Sequence, residues 1–279
     1  DQLFYLNAIE DDGEEGALTE EGKKMVQFPL DPYLSKTLLE ASELHCLKEV
    51  LIILSFLNLG NSIFEMVKGD KARFEFNKMF AKKFKENEYE SDLLNYLKIY
   101  GEMEKNKEST DLRKKRPFGK WCEEYFINTK NMLKVIDILS QLIQISESLD
   151  LKMSSSDLKK ENVIKAFIKA FKVNIVVKRE NNVFENLMNM DNKSKRPNKR
   201  NSVSSLEDEL FIHPTSSLFR KSIKNGAYLM YISLIMTKKN YMNVLTVLKP
   251  EWILEEKEFK QDIQAYKKIK LERVNIPRA

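Results

Sequence analysis

Trp121-Cys122-Glu123-Glu124-Tyr125-Phe126-Ile127-Asn128 and, farther on, His213-Pro214-Thr215-Ser216-Ser217-Leu218-Phe219 are the two stretches on which the reading of this chain turns. The first resumes a helical pattern after Arg113-Lys114-Lys115-Arg116-Pro117, where proline lacks a donor and restricts its predecessor. Its surroundings are helix-periodic. Leu93, Leu94, Leu97 and Tyr100 form a stripe before it, and Ile136, Leu139, Leu142 and Ile143 continue after it. Ser156 or Asp157 is expected to cap a last helix with Ile164, Phe167, Ile168 and Phe171 on one face. The second stretch lies among strand signals. Val173-Asn174-Ile175-Val176-Val177 is short and β-branched, and Phe211-Ile212, 228–235 and 241–248 read as further strands.

Outward from these, residues 1–67 form a first block. Leu3, Leu6 and Ile9 give a short helix face that runs into the acidic turn Asp11-Asp12-Gly13-Glu14-Glu15-Gly16, and a short strand is expected at Ala17-Leu18. Thr19 reads as an N-cap followed by Glu20 and Glu21, where the helix dipole favours acids. Asp31-Pro32 is a second start, a cap followed by proline at the first helical position. Leu34, Leu38, Ala41 and Leu44 then make one stripe, and Val50, Leu51, Leu54 and Leu57 another. This order suits a winged helix, or equally a small helical bundle. Residues 68–172 read as a helical bundle in which Phe76, Phe80 and Phe84 face one way and Lys71, Lys78, Lys82 and Lys85 another. Residues 173–253 predict a small barrel of OB-fold type, interrupted at about 185–207 by a disordered basic insertion containing Lys193 to Arg200. A final helix is expected over about 254–271, within a tail of 254–279. The fold class is thus mainly α with a C-terminal small β-barrel.

Charge is uneven along the chain. Residues 1–33 hold nine acids against two lysines, a net of −7, so the remainder carries +12 of the overall +5. A basic body favours a polyanionic partner. Cys46 and Cys122 fall in helical, apolar patterns and build no disulfide framework, which points to a reducing, intracellular compartment. The most apolar run, 50–59, is broken by Ser55 and Asn58 and is too short to span a bilayer, so no membrane partner is expected. The opening Asp1-Gln2-Leu3-Phe4-Tyr5-Leu6 reads as mid-helix, and the chain is expected to be cut from something longer.

Catalytic patterns do not emerge. A phosphate-cradling loop needs Gly-x-x-x-x-Gly-Lys-Ser/Thr. Gly22-Lys23 and Gly119-Lys120 are followed by Lys24 and Trp121, and Ala17 and Lys114 stand where the first glycine belongs. His45 and His213 are the only histidines, no zinc-ligand spacing occurs, and Cys46 beside His45 is expected to lie on a different helix face. No catalysis, metal or cofactor is expected of this fragment itself.

Five segments, in order, resemble the C-terminal helicase-associated region of DEAH-box ATP-dependent RNA helicases. They are Leu18-Thr19-Glu20-Glu21-Gly22-Lys23-Lys24-Met25 with Phe28-Pro29-Leu30-Asp31-Pro32; His45 to Leu51; Asp92 to Tyr100; Trp121 to Asn128 with Met132, Gln141 and Leu142; and His213 to Phe219 with Tyr231, Thr237, Lys238, Lys239, Tyr241, Met242, Pro250, Glu251 and Trp252. Leu93 and Lys98 depart from the family's histidine and asparagine, which puts a polar role there in doubt. The resemblance implies a winged helix, a ratchet bundle and an OB-fold that close a tunnel over single-stranded RNA. It implies RecA-like motor domains upstream, using ATP and magnesium, and glycine-patch activator proteins as possible partners. It also implies a nuclear or nucleolar place in RNA processing.

Single-strand tunnels need phosphate neutralisation and stacking surfaces. Lys238, Lys239 and Tyr241 are expected in an inter-strand turn, and His213 with Ser216 in another loop, as RNA contacts; alternatively Tyr241 packs the barrel. Lys114, Lys115 and Arg116 form a weaker candidate. Trp121 and Cys122 are expected to pack inside the bundle. The reading from another class is a protein-interaction scaffold whose basic charge is incidental.

Overall fold

The computed structural model describes residues 2–10, 16–60, 62–65, 68–69, 75, 79, 90–108, 116–156, 159–180, 183–187 and 209–256. The chain divides into two compact units, Asp1–Ala170 and Phe171–Ala279. Outside the described residues lie the phenylalanine and lysine faces of 71–85, Lys114 and Lys115, the run 193–200 and nearly all of 254–271.

In the first unit, α1 (Gln2–Tyr5) ends early. Asn7 takes φ 57°, and the chain turns extended. Ile9 therefore sits in an antiparallel bridge with Leu18 rather than on a helix face, and the expected strand is reduced to this bridge. Thr19 fixes the junction with α2 (Glu20–Met25). Its hydroxyl accepts the Gly22 N–H at 2.9 Å and donates to the Asn7 carbonyl at 2.6 Å, while its N–H reaches the Ala8 carbonyl at 3.1 Å. Gly22 is required by this contact, because a Cβ there would stand 2.0 Å from the Ala8 oxygen. Asp31 caps α3 (Pro32–Glu43) through the Tyr33 N–H at 2.9 Å, with Pro32 in the first turn as expected.

Leu34, Leu38 and Ala41 of α3 bury against α8 (Lys160–Ala170), which contributes Val163, Ile164 and Phe167. An ion network laces the same region. Lys36 donates to both Glu21 oxygens at 2.8 and 2.9 Å and to Glu40 at 3.0 Å, and Lys169 reaches the other Glu40 oxygen at 3.2 Å. Burial alone would push the Glu40 carboxyl up, but the two ammonium groups hold it below its ordinary range. Between α3 and α4 (Leu47–Leu57), His45 takes φ 54° and Cys46 occupies the cap position. The Cys-His pair thus stands in a turn, not within a helix as expected. Ser156, one of the two expected caps, does not cap: its N–H goes to Glu49 at 3.0 Å, its hydroxyl has no partner among the described residues, and α8 begins at Lys160; Asp157, the other, lies outside the described residues.

The Trp121 stretch is the hub of α5 (Asp92–Glu108), α6 (Phe118–Glu124) and α7 (Thr129–Ser148). Trp121 and Cys122 are buried among Phe56, Ile99, Met103, Met132 and Val135, as expected. Trp121 stacks on Tyr125 with centroids 4.9 Å apart, and the Tyr125 hydroxyl donates to Glu102 at 3.2 Å. Phe126 then takes φ 55°, Ile127 bridges Phe64, and the Asn128 side chain caps α7 by accepting the Asn131 N–H at 2.9 Å. Every residue from Trp121 to Asn128 is thereby assigned to packing, turning or capping, save the exposed Glu123 and Glu124.

The second unit is a curled five-stranded sheet with its own core. A 3-10 turn over Lys172–Asn174 precedes β1 (Ile175–Lys178); β2 (Phe184–Asn186), β3 (Leu210–Ile212), β4 (Tyr228–Met236) and β5 (Asn240–Leu248) follow. Their order is β2-β1-β4-β5-β3, antiparallel except for the parallel β3–β5 pair. The two edge strands β2 and β3 come within 8 Å of each other, so the sheet wraps most of a barrel around Val176, Phe184, Leu218, Leu229, Tyr231, Met242 and Leu245. Val244 takes φ 55° and leaves the ladder between the Tyr231–Leu245 and Ser233–Asn243 pairs, which resets the alternation so that Met242 and Leu245, three apart, both enter the core. The insertion expected from residue 185 is corrected here: Glu185 and Asn186 belong to β2, and Leu187 is buried. A short helix α9 (Pro250–Leu254) follows β5 and buries Trp252 and Ile253. The chain is thus helical in its first unit and OB-fold-like in its second.

Candidate functional site

In the second unit, strand register sets the candidate surface. Phe211 pairs directly with Tyr241 across β3–β5, and Tyr241 pairs with Ile235 across β5–β4. Directly opposed residues share a sheet face, so these three form a row across three strands. The Phe211 and Tyr241 rings lie 6.0 Å apart at 48°, and His213 meets Tyr241 edge-on at 5.8 Å.

The cations come from the hairpin turn between β4 and β5. Met236 pairs with Asn240, leaving Thr237, Lys238 and Lys239 as the loop. The Thr237 N–H donates to the Lys239 carbonyl at 3.0 Å, and the Thr237 hydroxyl accepts the Lys239 N–H at 3.3 Å. This closed turn aims the lysines outward. Both are exposed, and the Lys239 ammonium stands 4.3 Å over the Phe211 ring, within cation–π range. Lys238 and Lys239 thus occupy the inter-strand turn as expected. Tyr241 does not; it lies in β5, half-buried, its ring between those of Phe211 and His213.

The loop after β3 explains its own sequence. The His213 N–H donates to the Met242 carbonyl at 3.0 Å, extending the parallel ladder. The Ser216 N–H returns to the His213 carbonyl at 3.0 Å, closing a turn with Pro214 at its second position, where a φ near −65° is favoured. The His213 Nδ1 accepts the Thr215 N–H at 3.3 Å and lies 2.7 Å from the Thr215 hydroxyl. Ser216 is 7% exposed, and its hydroxyl accepts the Leu218 N–H at 3.1 Å. Leu218 then plugs the barrel core. Partial burial moves the His213 imidazole below its ordinary pKa, so it stands neutral at physiological pH.

His213, Lys239 and Tyr241 are thereby brought together with Lys238 beside them, and Ser216 sits beneath as a turn-former. Arg116, in the other unit, pairs with Glu124 at 2.6 Å. Phe211, Thr215 and Ile235 were missed as site residues. Period-two alternation through Phe211-Ile212-His213 was the available signal for Phe211, since it puts the first and last on one face. Apolar side chains flank the hairpin: Leu234, Ile235 and Met236 are exposed, and so is Phe219, with the Arg220 guanidinium 5.3 Å from its ring centroid.

Reactive chemistry is disfavoured by the environment of the thiols. Burial, helped by Glu49, pushes the Cys46 thiol up to about 12, and burial raises Cys122 as well. Among the described residues no group of three or more His, Cys, Asp or Glu could hold a metal, and no helix is long and apolar enough to cross a membrane. The arrangement brings aromatic rings, two exposed ammonium groups and one imidazole onto a single surface.

Three family models match the chain: a helicase-associated (HA2) winged-helix domain over residues 1–30, a ratchet-like helicase-associated (HA2) domain over 31–96, and an oligonucleotide/oligosaccharide-binding fold over 165–258. Residues 1–30 contain the Thr19 cap and the Ile9–Leu18 bridge, and 165–258 contain all five strands. Among curated relatives, the ATP-dependent RNA helicase DHX33 of Mus musculus is 29% identical over 255 residues, 91% of this chain and 31% of that protein. The pre-mRNA-splicing factor ATP-dependent RNA helicase prp22 of Schizosaccharomyces pombe is 26% identical over 259 residues, 91% of this chain and 18% of that protein. The chain spans less than a third of the length of either relative.

Proposed function

We propose, for a chain that belongs to the C-terminal helicase-associated region of the DEAH-box RNA helicases, that its OB-fold holds single-stranded RNA on the surface formed by Phe211, Tyr241, His213, Lys238 and Lys239. One observation carries this reading: rings in register across β3 and β5 stand beside two exposed, turn-anchored ammonium groups. Bases stack on such rings without regard to sequence, and the lysines neutralise phosphates. Ser216 holds the loop rather than touching the strand. The protein as a whole would be an ATP-dependent RNA helicase, with ATP and magnesium used by RecA-like domains outside this chain. The helical unit and OB-fold would close the RNA tunnel, glycine-patch proteins would dock as activators, and the work would be RNA remodelling in the nucleus or nucleolus.

The double variant Lys238→Glu/Lys239→Glu tests the surface. Each lost single-strand phosphate contact lowers the salt slope of binding by ~0.7, so the pair should lower it by ~1.4 while weakening affinity. Unchanged affinity and slope for a single-stranded RNA would overturn the surface. The exposed Leu234, Ile235 and Met236 favour a second reading, a protein-docking hairpin. A peptide partner whose binding survives the lysine reversals and fails in Met236→Asp would support it.

A further inference from the structure

The His213 ring uses one nitrogen and leaves the other open. Its Nδ1 faces the Thr215 N–H at 3.3 Å and the Thr215 hydroxyl at 2.7 Å. A backbone N–H can only donate, so Nδ1 must present its lone pair, and the proton of the neutral ring then resides on Nε2. That second nitrogen has no protein partner among the described residues and is not sealed from solvent. The residue is further held by the ladder bond of its backbone to Met242 and by the edge-on contact of its ring with Tyr241. No carboxylate or cation contacts the imidazole among the described residues; the groups against it are the Tyr241 ring and Thr215, with Asn243 beyond Thr215 and Lys239 beyond Phe211. A neutral, oriented N–H donor beside a stacking ring has the geometry to bond an oxygen of the strand's sugar–phosphate backbone while the base lies on the ring.

We propose that Thr215 locks His213 in the Nε2–H tautomer and that this N–H donates to a backbone oxygen of the RNA strand stacked at Tyr241. The contact rests on the RNA reading of this surface; the tautomer does not. His213 is the binding residue, and Thr215 is a positioning residue that acts through it. Contact through a neutral imidazole adds direction without adding charge, so it leaves the salt slope to Lys238 and Lys239.

Two measurements on the 279-residue chain test this. In long-range proton–nitrogen NMR of the free protein at neutral pH, the Nδ1 of His213 should resonate as an unprotonated ring nitrogen. In Thr215→Val, which removes the hydroxyl and keeps the backbone N–H, Nδ1 should stay unprotonated. A protonated Nδ1 in the wild type overturns the proposal. In binding, His213→Gln places an amide N–H near the former Nε2, whereas His213→Asn places it near Nδ1. Gln should hold a single-stranded RNA within about threefold of wild type, and Asn should lose about tenfold, the value of one hydrogen bond to a charged oxygen. Loss with DNA of the same sequence as well assigns the oxygen to phosphate; loss with RNA alone assigns it to the 2′-hydroxyl. Equal affinity of the Gln and Asn variants overturns the contact while the lysine reversals still report on the surface. If the lysine reversals leave binding unchanged, the surface reading fails and takes the contact with it, although the tautomer assignment stands.

Discussion

Alanine at Gly22 and alanine at Gly101 should move stability in opposite directions, although both glycines lie in helices. On propensity alone each substitution gains ~1 kcal/mol, from better helix formation and a less flexible unfolded chain. At Gly101, inside α5, the added Cβ meets nothing within 4 Å, so the gain stands. At Gly22 the Cβ would lie 2.0 Å from the Ala8 oxygen and 2.9 Å from its carbon, both backbone atoms, where real Cβ contacts stop near 3.0 Å. α2 and the Ile9–Leu18 bridge must therefore part by about 1 Å. Overpacking of this kind costs ~1–3 kcal/mol. The separation also stretches the Thr19 N–H bond to Ala8 and the Thr19 hydroxyl bond to Asn7, each contributing ~1 kcal/mol. Set against the propensity gain, the net should be about 3 kcal/mol of destabilisation, or a Tm lower by ~6–12 °C for a unit of this size. Gly101→Ala should raise Tm by ~2–4 °C. Thermal and urea unfolding of the two variants beside wild type decides it. A Gly22→Ala protein as stable as Gly101→Ala would refute the close approach of helix and bridge.

Lys36→Met leaves Glu21 and Glu40 without their shared cation, and should cost ~2 kcal/mol in urea unfolding, below the full value of a sealed pair because Glu21 is partly exposed and Lys169 remains. Because the folded Glu40 carboxyl lies below its ordinary value of 4.5, the network's contribution is present above that pH and lost as pH falls through the folded value; Lys36→Met should make this acid limb of the stability profile shallower. Cys46 and Cys122 should resist a thiol reagent at pH 8 in the native protein and react fully in denaturant, since both are buried with raised thiol pKa values. Ser216→Ala deprives the buried Leu218 N–H of its acceptor and should cost ~1–3 kcal/mol in unfolding while leaving the salt slope of RNA binding unchanged.

Local chemistry was legible wherever it was self-contained. Thr19 and Asp31 cap because hydroxyl and carboxylate oxygens reach amides two or three residues on, a relation visible in sequence. Long apolar stripes announced α3, α4, α7 and α8 for the same reason. The misses depend on distant partners. β2 is three residues, Phe184-Glu185-Asn186, beside an Asn- and Lys-rich run; it is a strand because β1 pairs with it and Arg179 bonds Glu185 at 2.7 Å. Ser156 looked like a cap, but its N–H turns to Glu49, distant in sequence, and its hydroxyl meets no helix amide among the described residues. Ile9 fitted a helix period, yet Leu18 recruits it into a bridge.

Polar residues in the two opening stretches differ in one physical respect, and it separates architecture from surface chemistry. Asn128 uses its carbonyl oxygen on the Asn131 N–H and its amide on Glu65, and Ser216 gives its hydroxyl lone pair to Leu218. Such residues hold their turns, and their place in the sequence carries no information about a ligand. His213 is mixed: Nδ1 closes the turn and Nε2 is left over. Lys238 is the other extreme, held at its backbone by the Thr237 turn while its ammonium has no partner among the described residues. Sequence pattern alone gave His213, Ser216 and Lys238 equal standing as contact candidates. Counting which donors remain after the backbone is satisfied ranks them, with Lys238 and the Nε2 side of His213 above Ser216. Trp121 and Cys122 leave the surface altogether, since their side chains are buried in the core of the helical unit.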